Sequence, residues 1–174
     1  SKQFAELNIP IVDADDIAHR LVEPGQPALL SIRKVFSDKV FNPDGTLNRQ
    51  NLRDIVFSNP QKKQQLEGIL HPLVFNAMQT IIDHLDKPYC ILSIPLLLET
   101  NMTHFVDRIL VVDCPVELQI ARVKRRDALA DARIQSIIDS QVSREFRLSH
   151  ADDVIDNSET GSGLAEQVKK LHNL

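Results

Sequence analysis

Ile9-Pro10-Ile11-Val12-Asp13-Ala14-Asp15-Asp16 decides the fold class. Ile9–Val12 is a short apolar run rich in β-branched residues, and it stops abruptly in three acids. Three further runs share that character: Tyr89–Ile94, Arg108–Val112 and Val154–Ile155. They do not alternate apolar with polar, which is the pattern of parallel strands covered on both faces. Each ends in polar or turn residues, namely Asp13-Ala14-Asp15, Ser93 to Pro95, Asp113-Cys114-Pro115 and Asp156-Asn157. In an open α/β sheet the ligand crevice lies outside the carboxyl ends of the strands. The expected architecture is a three-layer α/β fold, a parallel sheet flanked by helices, with its site built from those strand ends.

Helical patterns fill the intervals. About 75 residues separate the first two strands, too many for a simple crossover. Helices are expected over Asp16–Val22, Pro27–Phe36, Asn48–Phe57, Pro60–Leu70 and Pro72–Leu85. Asn59-Pro60 reads as a helix start, a capping side chain followed by proline at the first helical position. Residues 16–86 therefore form an inserted helical lobe, and residues 1–15 with 87–174 form the core. Pro115–Asp127, Ala130–Gln141 and Val142–His150 continue in helices. Leu164–Leu174 is an amphipathic final helix. Phe4 and Leu7 are spaced as on one helix face, and Asn8 suits a left-handed terminus. A chain opening inside a helix is expected to be a fragment.

Composition narrows the function. The 174 residues carry 20 Lys+Arg and 24 Asp+Glu, a formal net charge of −4, with 43% apolar residues. That is a globular balance, and it lacks the basic excess of a protein that coats nucleic acid. No apolar run approaches the length of a membrane span, and no signal peptide opens the chain. Two cysteines make no disulfide framework; Cys90 and Cys114 read as buried free thiols in a reducing cytoplasm. The six histidines show no H-x-x-x-H or H-E-x-x-H spacing, and G-x-S-x-G and C-x-x-C are absent, so neither zinc nor a serine or cysteine nucleophile is expected.

Five constellations have chemical potential. Asp13, Asp15 and Asp16 at a strand end can orient a hydroxyl, accept its proton or hold Mg²⁺; a helix cap explains one of them, not three. Arg122, Lys124, Arg125, Arg126, Arg133, Arg144 and Arg147 form a basic set suited to a polyphosphate, although Asp127, Asp131 and Glu145 would balance it as a solvated face. Arg122, Arg125, Arg126 and Arg133 share one face if the helix continues. His71, in Leu70-His71-Pro72, either touches a ligand or caps a helix end. Glu99 meets a substrate or is a first-turn acid favoured by the helix dipole. Asn157 reads a base edge or belongs to an Asx turn.

Taken in order, these motifs resemble those of the dephospho-coenzyme A kinases. The set runs Ile11-Val12-Asp13-Ala14-Asp15 with His19, Val22-Glu23-Pro24-Gly25, Leu70-His71-Pro72, Pro95-Leu96-Leu97-Leu98-Glu99, Val111-Val112-Asp113, Gln119 to Arg122, Arg125-Arg126-Asp127, Gln141 with Arg144, and Ala151 to Asn157. Each motif is weak alone, and the ordered set is specific. The resemblance implies a P-loop kinase fold with residues 122–150 as a helical lid, and transfer of the γ-phosphoryl of ATP, with Mg²⁺, to the ribose 3′-hydroxyl of dephospho-coenzyme A. It implies Asp15 as base or orienting group and Arg122 as the catalytic arginine. Asp13, His71 and Glu99 would bind the acceptor, and Arg126 and Asn157 would bind ATP. No residue is singled out as a metal ligand. The resemblance also places a Gly-rich phosphate loop just ahead of Ser1, so the 174 residues as they stand are expected to show negligible turnover. Competing readings are another small-molecule kinase, such as a nucleoside monophosphate kinase, and a non-catalytic nucleotide-binding module.

Overall fold

In the computed structural model, residues 1–100, 102–127, 130–158 and 162–173 are described, all with side chains but for residue 162. The element order is α1 (Lys2–Glu6), β1 (Ile11–Asp13), α2 (Ala14–Leu21), α3 (Pro27–Phe36), α4 (Arg49–Ser58), α5 (Pro60–Asp83), β2 (Ile91–Ser93), β3 (Leu110–Asp113), α6 (Val116–Asp127), α7 (Asp131–Asp139), α8 (Arg144–Ser149), β4 (Asp153–Asp156) and α9 (Ser162–His172). The fold is α/β with parallel strands, as the apolar runs require. β1 pairs with β2 in parallel, Val12 opposite Leu92, and β3 pairs with β4 in parallel, Val112 opposite Ile155. Parallel neighbours need long crossovers; here α2–α5 make one and α6–α8 the other.

The chain divides into two compact units. The first comprises Ser1 and Asn8–Ile94, and the second Lys2–Leu7 and Pro95–Leu174. The first unit owes its core to the helical segment. Val22, Ala28, Leu29, Ile32, Phe36, Val40 and Leu52 pack together, with Ile32 and Val40 fully buried. Burying side chains of this size stabilises by about 1.5–3 kcal/mol each, which holds α3, α4 and α5 as one body. The second unit is smaller in its core: Val111, Ile134, Ile155 and Val168 are buried, and α1 packs on α9.

Local chemistry explains most boundaries. Asn59 begins α5 as expected, its side chain accepting from the Lys62 N–H (3.1 Å) with Pro60 behind it. Asn8 adopts φ 60° after α1, the left-handed terminus anticipated for it. Three expectations are corrected. The helices Pro60–Leu70 and Pro72–Leu85 are one continuous helix, with Pro72 in its interior. An interior proline costs about 3 kcal/mol, because its ring removes an N–H and crowds the carbonyl four residues back. That carbonyl belongs to Gly68, whose backbone is the most adaptable available. Val74 and the fully buried Met78 lie beyond the proline, and their burial carries the helix through it. The proposed continuous arginine face also breaks. α6 ends at Asp127, and Ala130 is extended ahead of α7, so Arg133 belongs to a different helix from Arg122, Arg125 and Arg126. Cys90 and Cys114 are free, but half-buried rather than buried. Among the described residues no helix is long and apolar enough to cross a membrane.

Candidate active site

In the first unit, the acids follow β1 into α2. Asp13, the last residue of the strand, is the cap: its Oδ1 accepts from the backbone N–H groups of Asp15 (3.0 Å) and Asp16 (3.3 Å). One carboxylate thus satisfies two donors of the first turn, an arrangement worth about 1 kcal/mol. Asp15 and Asp16 are exposed, and neither carboxylate has a hydrogen-bond partner among the described residues. Both sit in the first turn of α2, where the helix dipole favours negative charge. A hollow of about 300 Å³ opens beside Asp13 and Asp16, lined also by Arg20, Ile11, Ile17 and Ile81; Asp15 does not line it. These are oxygen acceptors at a strand end next to a cavity, which suits holding a hydroxyl group. His71 is half-buried within α5, the helix that packs on α2. Because α5 runs unbroken past it, His71 caps no helix end.

In the second unit the strand ends are tied by arginines. Asp113, last in β3, accepts a fork from Arg144: Nε at 2.8 Å and Nη2 at 2.6 Å. This bond holds the Asp113 carboxyl below the usual carboxylate range, against the opposing effect of burial. Arg147 donates to the Val142 carbonyl (2.7 Å), and Glu99 accepts from the Val142 N–H (3.1 Å). Glu99 therefore grips the turn between α7 and α8. Arg122 Nη1 donates to the Asn157 carbonyl (2.7 Å), with Nη2 3.5 Å from the Ser158 carbonyl. A guanidinium has five N–H donors, so these contacts leave donors over for a phosphate. Arg126 forks onto Asp127 (2.8 and 2.7 Å), and Lys124 pairs with Asp131. The expected balancing of the basic set thus holds for these two cations, while Arg144 reaches a strand-end acid instead.

Asp13 and Asp15 come together at the first turn of α2, and Arg122 of α6 meets the backbone of Asn157 just after β4. Arg126 lies on the same helix as Arg122, at its exposed end. Sequence reasoning passed over the tie between Asp113 and Arg144, although both lie within its quoted motifs; the acid at a strand end facing a helix-start arginine was the available signal. It also passed over Gln167, whose amide holds β4 and which no motif marks.

A family model described as dephospho-CoA kinase matches residues 1–162. Dephospho-CoA kinase of Methylococcus capsulatus is 45% identical over 172 residues, covering 99% of this chain and 87% of the relative. That of Coxiella burnetii is 48% identical over 170 residues, 97% and 85% respectively. Among solved structures, TT1252 from Thermus thermophilus superposes with a TM-score of 0.88 at 26% identity, covering 99% of this chain and 87% of that one. Dephospho-CoA kinase from Campylobacter jejuni follows with a TM-score of 0.71 at 27% identity, 99% and 89%.

Proposed function

This chain belongs to the dephospho-CoA kinase family, and from that premise we propose how its residues serve the phosphorylation of dephospho-coenzyme A, the last step of coenzyme A synthesis. The observation that carries the reading is the match of one family model from residue 1 to residue 162, which favours this kinase over a monophosphate kinase or a non-catalytic module.

Phosphoryl transfer asks little covalent chemistry of a protein; it asks for alignment and for positive charge around the moving group. Asp15 orients the ribose 3′-hydroxyl of the acceptor and receives its proton. Support comes from its exposed carboxylate at a helix N-terminus, with the capping duty carried by Asp13. Asp13, His71 and Glu99 bind the acceptor, and residues 16–86 are its lobe. Arg122 supplies catalytic positive charge, Arg126 meets ATP phosphates, and Asn157 lies beside the base. Residues 122–150 act as the lid over the nucleotide core formed by 1–15 and 87–174. For Arg126 this means exchanging Asp127 for phosphate, a trade between like oxygen acceptors.

Mg²⁺ fits this donor set as ATP's companion rather than as a resident ion. It needs only one or two carboxylates when phosphates and water fill its other positions, and the open acids of the α2 first turn are of that kind. When bound, it neutralises charge building on the β- and γ-phosphate oxygens. The enzyme works in the cytoplasm, without nucleic acid or membrane.

The test offers one acceptor at a time, dephospho-coenzyme A, AMP, CMP or shikimate, with ATP. The protein is used as it stands and with a Gly-x-x-x-x-Gly-Lys loop joined ahead of Ser1. Coenzyme A identified by mass as the favoured product of the loop-bearing form supports the reading; preferential phosphorylation of AMP or CMP overturns it.

A further inference from the structure

Past β4 the chain is pinned from three sides. Gln167, on α9, faces the edge of β4 away from β3. Its Oε1 accepts from the Asp156 N–H (2.8 Å), and its Nε2 donates to the Asp156 carbonyl (3.0 Å). One side-chain amide thus offers the donor and acceptor that a neighbouring strand would have offered, so both backbone polar groups of Asp156 are satisfied. Nε2 also donates to the Gly163 carbonyl (3.3 Å), which anchors the amide in its own helix.

The next residue is held equally firmly. The Asn157 N–H donates to the Asp113 carbonyl (2.7 Å), and its carbonyl accepts from Arg122 (2.7 Å). The Ser158 N–H donates to Asp156 Oδ1 (2.8 Å). With the backbone of 156–158 saturated, the side-chain amide of Asn157 is the group left without a hydrogen bond among the described residues.

We propose that Gln167 is a positioning residue for nucleotide selection: by clamping both backbone groups of Asp156 it fixes where Asn157 carries its amide. This rests on the reading that Asn157 lies beside the nucleoside base. An amide pairs its carbonyl and NH₂ with the adjacent donor and acceptor of adenine, whereas guanine shows two acceptors on the same edge. A fixed amide therefore favours ATP over GTP, and a loosened one loses that preference.

Gln167→Leu keeps the side chain's bulk and removes both bonds to Asp156; Gln167→Glu keeps the acceptor and removes the donor. In the loop-bearing kinase, Gln167→Leu is expected to raise the KM for ATP and lower the ATP-to-GTP preference by about tenfold. The KM for dephospho-coenzyme A, and kcat at saturating ATP, stay within about twofold, a split that general destabilisation would not give. Gln167→Glu falls between. Asn157→Ala, run alongside, should lose the same preference. If Asn157→Ala loses it and Gln167→Leu does not, the proposal is overturned and the base reading stands. If neither loses it, the base reading itself fails. In the 174-residue chain without nucleotide, amide exchange at Asn157 and Ser158 should quicken about tenfold in either variant, a change worth one unit in the logarithm of the opening constant. Unchanged exchange overturns the proposal, and so does a parallel fall in kcat and rise in both KM values. Should Gln167→Leu fail to fold, Gln167→Glu decides by the same ratios.

Discussion

Asp13 and Asp113 hold the same place in their strands, the last residue of β1 and the last of β3, yet they do opposite work. Asp13 turns its carboxylate onto the backbone N–H groups of α2 and leaves the next two acids uncommitted. Asp113 receives a whole guanidinium, and the acid beside it on β4, Asp156, is occupied by the Ser158 N–H. One strand end is chemically open and the other is closed on itself. An open carboxylate keeps its lone pairs for a substrate, while a closed one gives rigidity to what surrounds it. The difference separates a region that reacts from a region that positions.

The sharpest way to break this contrast is Asp15→Asn. In the loop-bearing kinase kcat should fall by about a hundredfold to ten-thousandfold, the span of general acid–base help, with each KM moving only a few-fold. Steady-state kinetics checks it, and a surviving kcat would make Asp15 a bystander of the helix start. Arg122→Lys comes next, with kcat/KM for ATP expected to fall by about a hundredfold, because a point charge cannot replace a fork shared between carbonyls and phosphate. Near-normal rates would place Arg122 among the purely structural groups of the closed end.

Two smaller effects sharpen the comparison. Asp13→Ser keeps a capping oxygen and removes the charge; stability should hold while the KM for dephospho-coenzyme A rises. Asp13→Ala also loses the cap, and thermal unfolding should report about 1 kcal/mol less stability. Equal KM values for Asp13→Ser and the parent would confine Asp13 to capping. At the closed end, Asp113→Asn should lower the unfolding midpoint by about 2 °C at neutral pH, since the pair is partly solvated, with side chains 14% and 42% exposed. The gap has a definite pH sign. A carboxyl held below its ordinary value of 3.8 contributes stability above that value and loses it as pH falls through the depressed one. The two proteins should therefore converge in acid, and a gap that widens there would contradict the assignment.

The contrast was half legible in the residues alone. Apolar runs ending in acids identify the parallel strands, but the expected cover on both faces does not hold: Val112 and Val154 are exposed while Val111 and Ile155 are buried. Asn59-Pro60 and Asn8 announce their positions through single-residue conformational limits, and both hold. The unbroken α5 was not legible, since a proline's local cost was offset by burial of Val74 and Met78 beyond it. Nor were the partners of Arg122, Arg144 and Gln167. Their bonds span 35, 31 and 11 residues, and no local spacing encodes which carbonyl or acid a long side chain will reach. The same limit made Asp13, Asp15 and Asp16 look equivalent; only the cap geometry divides them.

The most direct test of the division is a crystal structure of the protein with dephospho-coenzyme A bound. The ribose 3′-hydroxyl should lie about 2.6–3.2 Å from an Asp15 carboxylate oxygen, with Asp13 still capping α2. A ribose lying away from the first turn of α2, or held by Asp113 in place of Arg144, would contradict it.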